Sequence, residues 1–509
     1  MEDRCPVEDL SGKHISYWLD TTPETSYPTL EENIEADVAI VGGGIAGLTT
    51  AYLLKNSGKT VAVVEAGKIS AGVTGNTTAK ITSQHRFIYS QLSRQFGNKI
   101  AQIYGESQQT ALELIASLIQ TEKINCDFKR AKAYIYTETK SNLEEIKEEA
   151  KIAQSLGLPA FFTSVLDLPY PVKGAVGFKN QAYFHPRKYL LHLAKLISGN
   201  GSYIFENSQV FDIDENSSIN VQTQKGKIKA KDVVIATHYP ILNKGGYFTR
   251  LVPLRSYALG VYVENKNPEG MYIDYSEPLF SVRPQLTQKG EMLIITGFEH
   301  KTGHEPNTMR CYKELYKLTQ DRFNDPSISY YWSTQDNYTP DHIPFIGRYT
   351  PFSKHLFLAT GFEGWGMTNG TLSGMILSDL ILKRDNPWVD LYNPSRGTQL
   401  KEIANLAKQN IHVAQTFIKD RYLKNTKEGS ENLKNGTGEV REVNGEKVAV
   451  YKDEEGTIHT VSAVCTHLGC IVNFNNAEKT WDCPCHGSRF DYKGNIVHSP
   501  AVKKLKTKK

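Results

Sequence analysis

The chain has 509 residues, 39% of them hydrophobic and 22% charged, with a formal net charge of +4. That length exceeds what one compact core usually supports, so two or three domains are expected. The composition excludes a disordered chain, and so mild a charge argues against nucleic acid as a partner. No apolar run is long enough to span a bilayer. The start, Met1-Glu2-Asp3-Arg4-Cys5, lacks the layout of a secretion signal, so the expected compartment is the cytoplasm.

The first clear element is Asp37-Val38-Ala39-Ile40-Val41, a short β-branched run that stops at Gly42-Gly43-Gly44. A helical segment follows from Ile45 to Lys55, Gly58 stops it, and Thr60 to Glu65 reads as a second buried strand. This is a βαβ unit, which implies a parallel sheet. Gly42-x-Gly44-x-x-Gly47 sits between the strand and the helix, the context in which such a loop cradles a pyrophosphate. Glu65, ending the next strand, places a carboxylate where both ribose hydroxyls of a dinucleotide are expected. Residues 110–180 and 245–335 mix helical and strand patterns and read as a substrate-side domain inserted into the first. Residues 231–237 and 355–361 read as strands ending at the ligand-facing edge of a doubly wound sheet.

Several segments carry a resemblance. Val41 to Leu48 with Val64-Glu65-Ala66, the loop Gly72 to Thr78, Asp341 to Gly347, and Ala359 to Thr368 are similar to the flavin-dependent amine and D-amino-acid oxidase family. That family includes glycine oxidase, sarcosine oxidase and the γ-glutamylputrescine oxidases, and the likeness covers about residues 30 to 390. It implies non-covalent FAD held by Gly42, Gly44, Ile45, Ala46, Gly47, Glu65 and Ala66, with Thr74, Thr77 and Thr78 beside the flavin. Val210 is implied at the adenine and Thr237 along the cofactor. Gly361, Gly364, Trp365, Gly366, Met367 and Thr368 are implied at the flavin pyrimidine edge, where a helix N-terminus stabilises negative charge. The implied chemistry is oxidation of an amine to an imine. Amino-acid-oxidising members often carry an arginine shortly before the Asp-x-x-Pro-x-Ile-Gly motif, but Trp332 to Pro340 contains none. Arg255 is then the candidate anion grip, with His85 and His185 as candidate bases or pocket linings.

Downstream, an apolar stripe from Leu400 through Ile403, Ala407, Ile411, Ala414 and Ile418 reads as a helix at a domain boundary, with membrane-surface contact as the alternative. Short strand-like segments such as 446–451 and 457–461 follow. Four of the seven cysteines fall between 465 and 485. A cluster this tight is more often a metal site than a disulfide framework in a reducing compartment. Zinc uses the same residue types. The layout Cys465-x-His467-x-x-Cys470, then Cys483-x-Cys485-His486-x-Ser488, closely resembles the Rieske family over residues 431–509. The resemblance implies a [2Fe-2S] cluster held by Cys465, His467, Cys483 and His486, and a disulfide between Cys470 and Cys485. It places the histidines within reach of solvent. Phe490 stands where high-potential members carry a tyrosine that donates to a ligand sulfur, which implies a lower potential here.

The expected architecture is therefore an α/β, Rossmann-like flavin domain with an inserted α+β substrate domain over 1–394, then a linker helix over 395–430 and an all-β cluster domain over 431–509. Cofactor-binding parts are expected near 30–110, 181–240 and 340–394, and substrate-side parts near 111–180 and 241–339. The leading expectation is a dehydrogenase for a small amine or amino acid, passing electrons through the cluster to a quinone, carrier protein or oxygen. Inward flow to a reductase or oxygenase, and a non-enzymatic redox sensor or electron carrier, are the alternatives.

Overall fold

A computed structural model describes residues 10–215, 219–264, 267–396 and 433–508. The expected linker helix and its apolar stripe lie outside the described residues, apart from Ser395 and Arg396.

The first of two large sheets has strand Ile34–Val41 near its centre. Strands Leu356–Thr360, Lys227–Ile235, Ile34–Val41, Val61–Val64 and Tyr203–Phe205 run parallel in that order. Alternation along Ile34–Val41 sorts its two faces, as the two-residue period requires. Val38 and Ile40 pack with Leu48 and Ala51 of helix Ile45–Asn56 and with Leu372 and Ile376 of helix Gly366–Leu382. Ala39 and Val41 pack instead with Ile213 and Val221, from the hairpin of strands Val210–Glu215 and Ile219–Thr223. Helices thus cover one face and a hairpin the other, a correction to the expected doubly wound arrangement. A short loop over residues 206–209, with no helix in it, carries the chain from Tyr203–Phe205 into that hairpin.

Two glycines of the loop are dictated by space. Gly42 has φ +114°, and a Cβ there would strike the Ala236 carbonyl. A Cβ on Gly47 would strike the Gly42 carbonyl, so helix and strand approach only without one.

The second sheet has nine strands, with Ser327–Tyr338 at one edge and Lys80–Ile81 at the other. Most of it comes from the two inserted stretches. Lys80–Ile81 and the end of Gly174–Tyr183 come from segments expected to bind cofactor. The C-terminal unit has two small antiparallel sheets, one of three strands and one of four, around Trp481 and Phe490.

This unit is fastened to the second sheet by charge. Glu478 accepts from Arg255 at 2.8 Å and also contacts Ser333 and Arg489, while Arg489 reaches Asp482 at 3.0 Å. The Arg255 side chain is only 1% exposed and that of Glu478 12%. Gln335 donates to the Gly487 carbonyl (3.0 Å), Asn473 to that of Gly303 (2.8 Å) and Thr308 to Asn475 (2.7 Å). Glu478→Ala would leave the buried Arg255 guanidinium without an anion and Arg489 with Asp482 alone. The expected loss is about 3–5 kcal/mol in denaturant unfolding of the holoprotein, with Glu478→Gln in between. A loss under about 1 kcal/mol, the range of an exposed pair, would show that the contact does not fasten the domains.

Candidate active site and cluster centre

The carboxyl ends of the parallel strands open onto a cavity of about 520 Å³, within the size range of cofactor sites. Of the residues implied at FAD, Gly42, Gly44, Ile45, Ala46, Glu65, Ala66, Thr74, Thr77 and Thr78 line it, as do Val210, Thr237, Gly364, Trp365, Gly366 and Met367. Gly47, Gly361 and Thr368 do not. Gly47 packs helix on strand, Gly361 lines an adjacent cavity of about 340 Å³, and Thr368 donates to the Thr82 carbonyl.

The residues present fit a flavin dinucleotide. Helix Ile45–Asn56 begins at Gly44 with no side-chain cap, so its positive end faces the cavity and suits a pyrophosphate. Helix Gly366–Leu382 likewise begins without a side-chain cap at Trp365. The Glu65 carboxylate accepts from the Gly43 (2.8 Å) and Gly67 (2.9 Å) backbone N–H groups, and burial raises its pKa. Each oxygen keeps lone pairs for ribose hydroxyls.

The opposite wall comes from the second sheet and was not legible as a site in sequence. Arg86 pairs with Glu299 at 3.2 Å, and the Tyr338 hydroxyl donates to Glu299 at 2.6 Å. Lys80 donates to Ser281, and burial lowers its pKa to about 7. Asp336 also lines the wall, its pKa raised to about 7 by burial and then by Glu299. The signal for Asp336 was present, because it stands inside the stretch noted for lacking arginine.

The three candidate catalytic residues fall elsewhere. His85 is buried with both nitrogens engaged, Nδ1 with the Tyr104 hydroxyl (2.7 Å) and Nε2 with the Thr82 carbonyl (2.8 Å). It stacks on Trp365 and lines only the smaller cavity, with a pKa lowered by burial to about 3. His185 caps helix Pro186–Ile197 by accepting from Lys188, and contacts Thr21 at 3.1 Å. Arg255 does not line the cavity, because its guanidinium pairs with Glu478. Cys311 is a buried thiol of helix Thr308–Arg322, outside the cavity wall.

In the C-terminal unit, Cys470 and Cys485 form a disulfide between the two loops. The Cys465 and Cys483 thiols hydrogen-bond each other, and Ser488 also bonds Cys465. The His467 and His486 rings meet edge to face at 4.9 Å. Nδ1 of each is buried without a hydrogen-bond partner among the described residues. His467 Nε2 donates to Asn243 Oδ1 at 3.0 Å, which leaves Nδ1 as the bare nitrogen. Two thiols and two orphaned imidazole nitrogens fit a mixed cysteine–histidine cluster. The sulfurs of Cys470, Cys483 and Cys485 also lie within 4.8 Å of one another. Two of them are already joined covalently, so that trio is no metal site. The expected solvent access needs correcting at His486, which is 4% exposed beside Phe248; His467, against Asn243, stays partly open to solvent. Nothing in the spacing of the two loops foretold Asn243 or Phe248.

The domains also share the cavity. His498, Ser499, Ala501 and Val502 line it together with Thr237 and Val210. His238 Nδ1 and His498 Nε2 share a hydrogen bond at 3.1 Å, and Ser499 donates to the Thr237 carbonyl at 3.2 Å.

Comparison with known proteins agrees with both halves. Residues 37–380 match the FAD dependent oxidoreductase family and residues 427–509 the Rieske [2Fe-2S] domain. YhfW of Bacillus subtilis, described as a Rieske 2Fe-2S iron-sulfur protein, is 37% identical over 96% of this chain and 97% of its own length. Gamma-glutamylputrescine oxidoreductase of Escherichia coli is 24% identical over 70% of this chain and 85% of its own. Glycine oxidase from Geobacillus kaustophilus superposes with a TM-score of 0.62 at 19% identity, covering 72% of this chain and all of that one. Among the described residues no helix is long and apolar enough to cross a membrane. The chain belongs to the FAD-dependent oxidoreductase family and is an enzyme that binds FAD, with a Rieske domain for a [2Fe-2S] cluster at its C-terminal end.

Proposed function

We propose that the protein is a dehydrogenase that oxidises a small amine at the flavin and passes the electrons through its own cluster to an external acceptor. The observation that carries this reading is the shared cavity, since His498, Ser499 and Ala501 of the cluster domain form part of the wall around the flavin site. Amine oxidation is carried over from the relatives' activities. When bound, FAD supplies a two-electron oxidant and the cluster a one-electron relay.

The side chains have divided duties in this reading. Glu65 holds the adenosine ribose, and the two uncapped helix ends face the anionic parts of the cofactor. The Arg86–Glu299–Tyr338 set forms a charge-balanced wall on the substrate side. His85 fixes the Trp365 plane and, with both nitrogens engaged, moves no proton. Cys465, Cys483, His467 Nδ1 and His486 Nδ1 hold the cluster, and the Cys470–Cys485 disulfide keeps the two loops together.

Anaerobic mixing of the holoprotein with a panel of amines tests the reading. At least one amine should bleach the flavin, and the electron resonance signal of a reduced Rieske cluster should follow. Bleaching with the cluster left oxidised, or no bleaching by any amine, would contradict it. A second outcome concerns tuning. Phe490 is fully buried in the cluster core, and Phe490→Tyr adds a hydroxyl at the position whose donor the resemblance marks as missing. One net hydrogen bond of about 0.5–1.5 kcal/mol should raise the one-electron midpoint by about 20–60 mV. A redox titration showing no shift would refute that account of the potential.

A further inference from the structure

Resting on the amine reading above, the charge on the cavity wall narrows the substrate class. The stretch Trp332 to Pro340, which lacks the arginine that grips a substrate carboxylate, places Asp336 in the cavity instead. Asp336 lies beside Gly364, whose backbone N–H supports its carboxylate. Gly364 belongs to the segment that the family resemblance sets against the flavin edge.

The other charges on this wall are accounted for. Arg86 and Glu299 neutralise each other, and Tyr338 donates to Glu299. Glu363 takes the Thr339 N–H and hydroxyl at 2.7 and 2.9 Å and pairs with His342 at 2.8 Å. Lys80 comes from the opposite edge of the sheet and is tied to Ser281, and the charge that perturbs it is Arg283. The charges that perturb Asp336 are Glu299 and Glu363, both of its own sign, and among the described residues it has no cationic partner. Asp336 is half-buried and faces the cavity, and a carboxylate there without a partner attracts a cation and repels an anion.

We propose that Asp336 receives the positively charged nitrogen of the substrate, so that the enzyme selects amines with no carboxylate on the reacting carbon. The stretch without that arginine instead brings a carboxylate to the cavity. The Asp336 carboxyl ionises near pH 7, so cation binding strengthens as the pH rises from 6 to 8.

Benzyltrimethylammonium and benzoate, which share a phenyl ring and differ in charge, test this by perturbation of the flavin spectrum of the holoprotein at pH 8.5. The cation should bind about tenfold tighter or more than benzoate. Asp336→Asn should lose that preference and Asp336→Arg reverse it, with FAD content unchanged. If either variant loses FAD, the preference and its rise with pH are read in Lys80→Gln, where of these two groups only the Asp336 carboxyl remains to titrate near pH 7, and absence of the rise there would overturn the proposal. Tighter binding of benzoate, no binding of the cation, or cation affinity unaltered in Asp336→Asn would overturn the proposal. Benzoate preference alongside amine bleaching would sink only the role of Asp336. Cation binding without bleaching by any amine would sink only the dehydrogenase reading.

Discussion

Glu478 lies between two guanidinium groups, Arg255 from the second sheet of the flavin domain and Arg489 from the cluster domain, with little access to water. Charges removed from water must be paired, and the pairing contributes less to net stability than to fixing one arrangement over others. Here that arrangement decides the rest. With Glu478 in place, Gln335 reaches Gly487, Asn243 reaches His467, and residues 498–502 close one wall of the flavin cavity. One docked pose therefore sets the geometry of both redox sites.

The direction in which the histidines point follows from the same dock. A cluster that serves an outside partner through its histidines needs that edge free. Here Phe248 packs on His486 and Asn243 accepts from His467, both carried by the flavin domain, so the edge is partly closed. His498, three residues before Ala501, whose N–H donates to Ser488, meets His238 at the cavity wall. An edge turned inward suits a cluster that takes its electrons from the neighbouring flavin.

Local chemistry was readable in sequence, and long-range pairing was not. The glycine loop, Glu65 and the Cys/His loops are set by backbone sterics and ligand spacing within a few residues, so their identities carry the information. The helix from Ile45 and the strands near 37, 61, 231 and 356 were legible for the same reason. Arg255 shows the limit. A buried arginine signals a partner without naming it, and its partner lies 223 residues away. His85 and His185 are histidines satisfied by hydroxyls and backbone, which sequence cannot tell from bases. Asp336 was not legible as a site residue because an aspartate within a strand of alternating polar residues carries no sign that it faces a cavity. The hairpin on the second face of the first sheet was missed because short strands near 210 and 219 carry no sign of where they pack.

The proposed electron path requires the two domains to stay docked during transfer. Anaerobic stopped-flow on substrate-reduced holoprotein can follow electron transfer from flavin to cluster in buffers of increasing viscosity. A fixed dock predicts a first-order rate that is independent of both viscosity and protein concentration. A rate that falls in inverse proportion to viscosity would contradict the account, because the cluster domain would then have to swing for each electron.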